Sequence, residues 1–161
     1  SLNDEIWRKA KRIRTLEEHN DNACIPEGRD VEYVGIINYC IMFLIRLQEI
    51  KGIPSVAEVT EKAADFDNID SNTLYNAYKA NVSQIRDLLV KKNTDYGDAW
   101  KSMSIVSMTD QVIIRVYRIR KILSNGGKCL VSEGIASQLN DIINYCIFAL
   151  IKMDSSLISF E

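Results

Sequence analysis

Apolar residues recur at three- and four-residue intervals along most of the chain, the period of a helix that turns one face inward. In the opening stretch Leu2, Ile6, Ala10, Ile13 and Leu16 share that spacing, while Arg8, Lys11 and Arg12 fill other faces. An amphipathic helix is therefore predicted over 2–16. From His19 to Arg29 the chain is polar and contains Pro26 and Gly28, which reads as a loop. Between about Asp30 and Ile50 apolar residues appear on nearly every side, as in a helix enclosed by others, and Gly52 and Pro54 end it. A shorter helix is expected over Ser55–Phe66, followed by an Asp- and Asn-rich connection. Ser71 or Asn72 can cap a long helix that carries Leu74, Ala77, Val82, Ile85, Leu88 and Leu89 and ends near Lys92. The polar stretch Lys91–Trp100 (KKNTDYGDAW) then breaks at Gly97. Met108–Leu123 is amphipathic again, Ser124–Lys128 (SNGGK) is a turn, and Gly134–Met153 is a second enclosed helix. No segment sustains strand alternation, so the predicted class is an all-α helical bundle.

The two amphipathic helices and the two enclosed ones are copies. Displaced by 106 residues, Ser1–Leu47 falls on Ser107–Met153 without a gap, and about a third of the positions are identical. Asp4, Arg12, Ile13 and Arg14 fall on Asp110, Arg118, Ile119 and Arg120; Glu27-Gly28 falls on Glu133-Gly134; and Ile36–Ile41 (IINYCI) recurs as Ile142–Ile147. This is an internal duplication. A single domain over 1–161 is expected, with a partial first copy at 1–50, a connection at 51–70 and a complete second copy at 71–161. A duplicated helical pair suggests a pseudo-two-fold bundle with the enclosed helices side by side. The first copy opens at the counterpart of Ser107, so the natural protein is expected to carry an upstream helix with its own Y-G-x-x-W-like stretch. Without that helix, exposed apolar surface would favour a homodimer.

Composition narrows the function classes. A formal charge of −2 and a pI near 5.5 argue against bulk nucleic-acid binding, which draws on a basic excess, but leave free nucleotides open. With one histidine, His19, a His-based zinc site or triad is not expected. The four cysteines, Cys24, Cys40, Cys129 and Cys146, form no C-x-x-C pair and read as small hydrophobes in a reducing cytoplasm. The apolar run Val34–Ile45 is interrupted by Asn38 and falls short of the ~20 residues that cross a bilayer. The SNGGK turn lacks the spacing and the preceding strand of a phosphate loop.

Several polar residues remain that packing alone does not call for. Lys92, Asn93, Asp95, Tyr96, Gly97 and Trp100 give K-N-x-D-Y-G-x-x-W; Asp110, Arg118 and Ile119 follow; Val131, Glu133, Gly134 and Ile135 give V-x-E-G-I; and Asp141, Asn144 and Tyr145 lie in D-I-I-N-Y-x-I. This combination resembles the domain of unknown function 1599, also called nucleotide modification associated domain 1, in a two-copy form. More remotely it is similar to the all-α NTP pyrophosphatases of the MazG and dimeric dUTPase group, helical bundles that use carboxylates and magnesium to cleave a nucleoside triphosphate to a monophosphate and pyrophosphate.

The resemblance implies a nucleotide-binding protein and a candidate magnesium-dependent pyrophosphohydrolase of a free or modified nucleotide. Such a reaction needs Mg2+ held by carboxylates, an aimed water, and cations facing the phosphates. Asp141, Asp110 and Glu133 are the candidate catalytic acids and metal ligands. Lys92 and Arg118 would face phosphate, and Asp95, Tyr96 and Trp100 would complete the nucleotide site. Asp141 stands out because its helix is otherwise almost wholly apolar, and an unpaired carboxylate there is costly to bury. It could instead pair with an arginine such as Arg118.

Two departures from the pyrophosphatase pattern bear on the chemistry. Carboxylates share a helix face when they are three or four residues apart, yet the positions before Asp141 are the neutral Ser137 and Gln138. Glu133 is eight residues away, about 12 Å along the axis, so another helix must complete any ion site, with Asp95, Asp98 or Asp110 as sources. In the first copy Gly35 stands where the second has Asp141. The alternative function is therefore a nucleotide-binding or scaffold protein that keeps the fold with a degraded site.

Overall fold

The computed structural model describes residues 1–19, 28–49, 70–125 and 131–154, together with the backbone alone at a few helix ends. These residues form α1 (Leu2–Glu18), α2 (Arg29–Glu49), α3 (Ser71–Tyr96), a short 3-10 helix (Ala99–Ser102), α4 (Ile105–Ser124) and α5 (Val131–Met153). The chain is an all-α bundle, with no strand among the described residues. The helix expected over 55–66 lies outside them, as do the SNGGK glycines and both Cys24 and Cys129.

Local chemistry sets the helix ends. Ser1 caps α1 by accepting from the Asp4 amide, and the Asp4 carboxylate reaches back to the Ser1 backbone. The Ser1 hydroxyl bond is the main reason that the Asp4 carboxyl sits below its ordinary range. Asp70, rather than Ser71 or Asn72, caps α3 through Thr73, and Ser104 caps α4 through Ser107. Helix α3 runs four residues past the expected end because nothing in Lys91–Tyr96 breaks it. Gly97 stops it at φ +69° and ψ −162°, a conformation that side chains rarely tolerate.

α1 packs on α2 and α4 packs on α5, while the inner helices α2 and α5 lie against each other. The core joins Ile6, Ala10 and Ile13, Tyr33, Ile36, Cys40 and Phe43, Val112, Val116 and Ile119, and Ile135, Leu139, Ile142 and Cys146. The outer helices α1 and α4 also meet, and there equivalent residues of the two repeats face one another. Arg14 bonds Asp110, and Arg120 acts on Asp4 at the other end. Each interaction sets an arginine of one matching segment against the charge of an aspartate in the other.

Deeper in, Tyr33 donates to Thr109 at 2.6 Å, because the Thr109 hydroxyl proton goes to Glu17, also at 2.6 Å. Glu17 accepts from Arg14 and Arg29 as well, so one carboxylate ties α1 to α2 and α4. Helix α3 is the outlier, burying only Asn81 and Ile85 among its described side chains. Polar pairs hold it on α2: Tyr78 donates to Asn38 at 2.7 Å, and Asn81 exchanges hydrogen bonds with Gln48.

Gly134–Met153 is long and apolar enough to cross a bilayer by length and composition. In the fold it is an inner helix of the bundle, with Ile135, Leu139, Ile142, Ile143, Cys146 and Ala149 buried. Burial pushes the thiols of Cys40 and Cys146 up, out of the range where thiolate forms at neutral pH. Iodoacetamide at pH 8 is therefore expected to leave both unmodified in the native protein and to alkylate both in denaturant. Peptide mapping by mass spectrometry checks this, and native alkylation at the denatured rate would contradict the packing.

Candidate functional site

The polar stretch after Val90 is folded by its own side chains. Asn93 accepts the Trp100 indole N–H at 3.1 Å and donates to Asp98 at 3.3 Å, while its carbonyl accepts from the Gly97 amide at 2.9 Å. The chain thus turns back at Gly97 and lays the 3-10 helix across the end of α5. Trp100 stacks on Phe148, with ring centroids 4.6 Å apart and planes 7° from parallel. Lys152, in the last turn of α5, donates to the Lys101 and Met103 carbonyls and fastens the other end of this segment. Lys101 pairs with Asp98, and this pairing, followed by the Asn93 bond, holds the Asp98 carboxyl below its ordinary range.

Between the end of α3, the 3-10 helix and α5 lies a cavity of about 340 Å3, within the size range of small-molecule sites. Trp100, Tyr145 and Phe148 give it ring walls, Gly97 and Ala99 its rim, and Lys92, Asp141 and Asn144 its polar groups. Lys92 bonds one Asp141 oxygen at 3.1 Å and Arg115 bonds the other at 3.3 Å. Arg115 also lies over the Tyr145 ring, 4.9 Å from its centroid. Asp141 is 26% exposed, so it sits at a wet edge of the core rather than inside it.

The profile of nucleotide modification associated domain 1, domain of unknown function 1599, matches residues 1–47 and 92–153. The chain belongs to this family. Among curated proteins and among solved structures nothing matches. In this member of nucleotide modification associated domain 1, the K-N-x-D-Y-G-x-x-W run has a structural meaning. Lys92 reaches Asp141, Asn93 fixes the indole, Gly97 makes the turn, and Trp100 walls the cavity.

The fold gathers some of the expected site residues and separates others. Lys92, Trp100 and Asp141 line the cavity. Asp95 is exposed and is not among its walls, and Asp110 is engaged by Arg14 of α1. Arg118 is exposed, whereas Arg115, one turn earlier, takes the place at Asp141. The side chains of Tyr96 and Glu133 lie outside the described residues. Arg115 carried a signal in the sequence. It stands three residues after Val112 and four before Ile119, both core, and its counterpart in the first repeat, Lys9, is also a cation.

The expected magnesium site can be tested against this donor set. Asp141 is the one carboxylate in the cavity wall, and cations occupy both of its oxygens. Among the described residues no group of three or more His, Cys, Asp or Glu side chains could hold a metal ion. Among the described residues, the side chains that line the cavity do not supply a magnesium donor set.

The first repeat handles its charge differently. Glu32, buried to 5% exposure, accepts from Lys9 at 3.2 Å and Arg12 at 2.6 Å. Its counterpart is the neutral Gln138, and Asp141 stands one turn further on, opposite Gly35. The acid thus stands three residues apart in the two matching segments, while a cation, Lys9 or Arg115, occupies the equivalent position in both. A Cβ at Gly35 would meet the Lys9 side chain at 2.7 Å, so the end of that lysine would have to shift to admit one.

Proposed function

We propose that this protein binds a small nucleotide in the cavity beside Asp141, with the base among Trp100, Tyr145 and Phe148 and the phosphates toward Lys92 and Arg115. The observation that supports this reading is a cavity with aromatic rings on one side and two cations sharing a single carboxylate on the other. The cluster carries net positive charge, and charge-assisted bonds to phosphate are its natural use. Rings supply stacking that tolerates any base. The family's description, nucleotide modification associated, points the same way. A nucleotide-binding role needs only these groups. Pyrophosphohydrolysis is the second reading, drawn from the resemblance to the helical pyrophosphatases. The overall charge of −2 favours a free nucleotide over a duplex, and the buried free thiols suit a cytoplasmic setting.

Calorimetric titration of a panel of nucleoside and deoxynucleoside triphosphates, with and without magnesium, tests the proposal. Lys92→Met is expected to weaken binding about tenfold or more, the loss of one charge-assisted bond of ~1.5–3 kcal/mol. Absence of binding for every member of the panel would overturn it. A pyrophosphate-release assay on the same panel tests the second reading.

A further inference from the structure

Asn144 lines the cavity, is 6% exposed, and its Oδ1 is buried without a hydrogen-bond partner. A carboxamide oxygen shut away from water and left unpaired is destabilising, and such atoms are rare in folded proteins. The same residue in the first repeat shows the ordinary solution: Asn38 accepts the Tyr78 hydroxyl at 2.7 Å. Unpaired buried acceptors also occur at Asn3 and Gln138, but neither lines the cavity. Of these three acceptors, Asn144 is the one that lines the cavity.

We propose that Asn144 reads the edge of the bound base, accepting a hydrogen bond from a ring or exocyclic N–H. This rests on the nucleotide reading of the cavity and adds the selecting group. Three positions on α5 form a stripe toward the cavity: Asp141 with its two cations, Asn144, and Phe148 stacked on Trp100. Seven residues separate the ends of the stripe, about 10 Å along the axis, a length that a nucleotide spans. With phosphate at the Lys92 end and the base among the rings, the acceptor between them meets the base. Phosphate at neutral pH is mostly ionised and rich in acceptor oxygens, so Oδ1 is better matched to an N–H donor. A ligand that lacks this donor leaves the carboxamide buried and unmet, and sites of this kind reject such analogues.

The test pairs each nucleotide that binds with an N-methylated derivative in which no N–H remains on the base, titrated into the wild-type protein. Methylation is expected to weaken binding tenfold or more. Asn144→Leu is expected to lose the same factor for the parent nucleotide and to abolish the difference within each pair. In the free protein Asn144→Leu should raise the unfolding temperature, because it removes an unmet acceptor, whereas Asn38→Leu should lower it by breaking the Tyr78 bond. Asn144→Ala supplies the binding readout if the leucine disrupts folding. Equal affinity for parent and methylated nucleotides, or unchanged discrimination in the variants, overturns the role of Asn144 while leaving the nucleotide site standing. Failure of wild-type protein to bind any nucleotide overturns both.

Discussion

Asp141→Asn is expected to tighten the binding of a nucleoside triphosphate about tenfold in buffer free of divalent ions. In the native protein the Asp141 carboxylate occupies Lys92 and Arg115, at 3.1 and 3.3 Å. A triphosphate must share those cations with it and must also approach a like charge. At an effective dielectric near 20, a charge about 5 Å away opposes a phosphate by ~3 kcal/mol. Solvent at this partly exposed edge screens more than half of that, leaving about 1.4 kcal/mol, or a factor of ten. The substitution also removes the acidic partner of Arg115, which keeps its bonds to Gln111, so stability is expected to fall by about 1 kcal/mol at most. Weakened binding in Asp141→Asn, together with a magnesium dependence present only in the wild type, would show instead that the carboxylate serves a metal ion. The sign of the change thus separates the two readings.

Glu17→Ala is expected to lower stability by about 2–3 kcal/mol and the unfolding temperature by roughly 5–10 °C. Glu17 is 5% exposed as a side chain and accepts from Arg14, Arg29 and Thr109, which come from its own helix, from α2 and from α4. Removal leaves guanidinium groups and a buried hydroxyl around an empty anion position. The full penalty for a broken buried pair, ~3–5 kcal/mol, is moderated because Arg14 keeps Asp110. Tyr33 still donates to Thr109, but Thr109 must then turn its proton to the Ile105 carbonyl at 3.3 Å. Thermal unfolding by circular dichroism checks the value. A shift under 2 °C would mean that the arginines find equal partners in solvent.

The helices were legible because their apolar spacing is strong and their ends carry ordinary signals. The repeat gave more than periodicity alone, since it marked which polar positions recur inside apolar helices. It also contained the clue to Arg115, a cation retained at the position of Lys9, although the identical match of Arg118 to Arg12 drew attention to the wrong turn. The helix was expected to end near Lys92, where the chain turns polar. It continues to Tyr96 because polarity on an outer helix such as α3 carries no penalty, and the break waits for Gly97. Asp110 shows what the chain order conceals. Its partner is Arg14, in the other repeat, and only the crossing of α1 with α4 brings the two together. The orphaned state of Asn144 was equally hidden, because Asn38 carries the same local sequence and finds a partner only through Tyr78, which α3 brings to it from 40 residues away.

The wall that carries Trp100 is pinned at one end by an ammonium group in the last turn of α5, through two main-chain oxygens. The segment bearing Trp100 is thus moored to the C-terminal turn of α5 by a side chain that is not itself part of the cavity lining, so Lys152→Met would loosen that mooring and leave every lining residue in place.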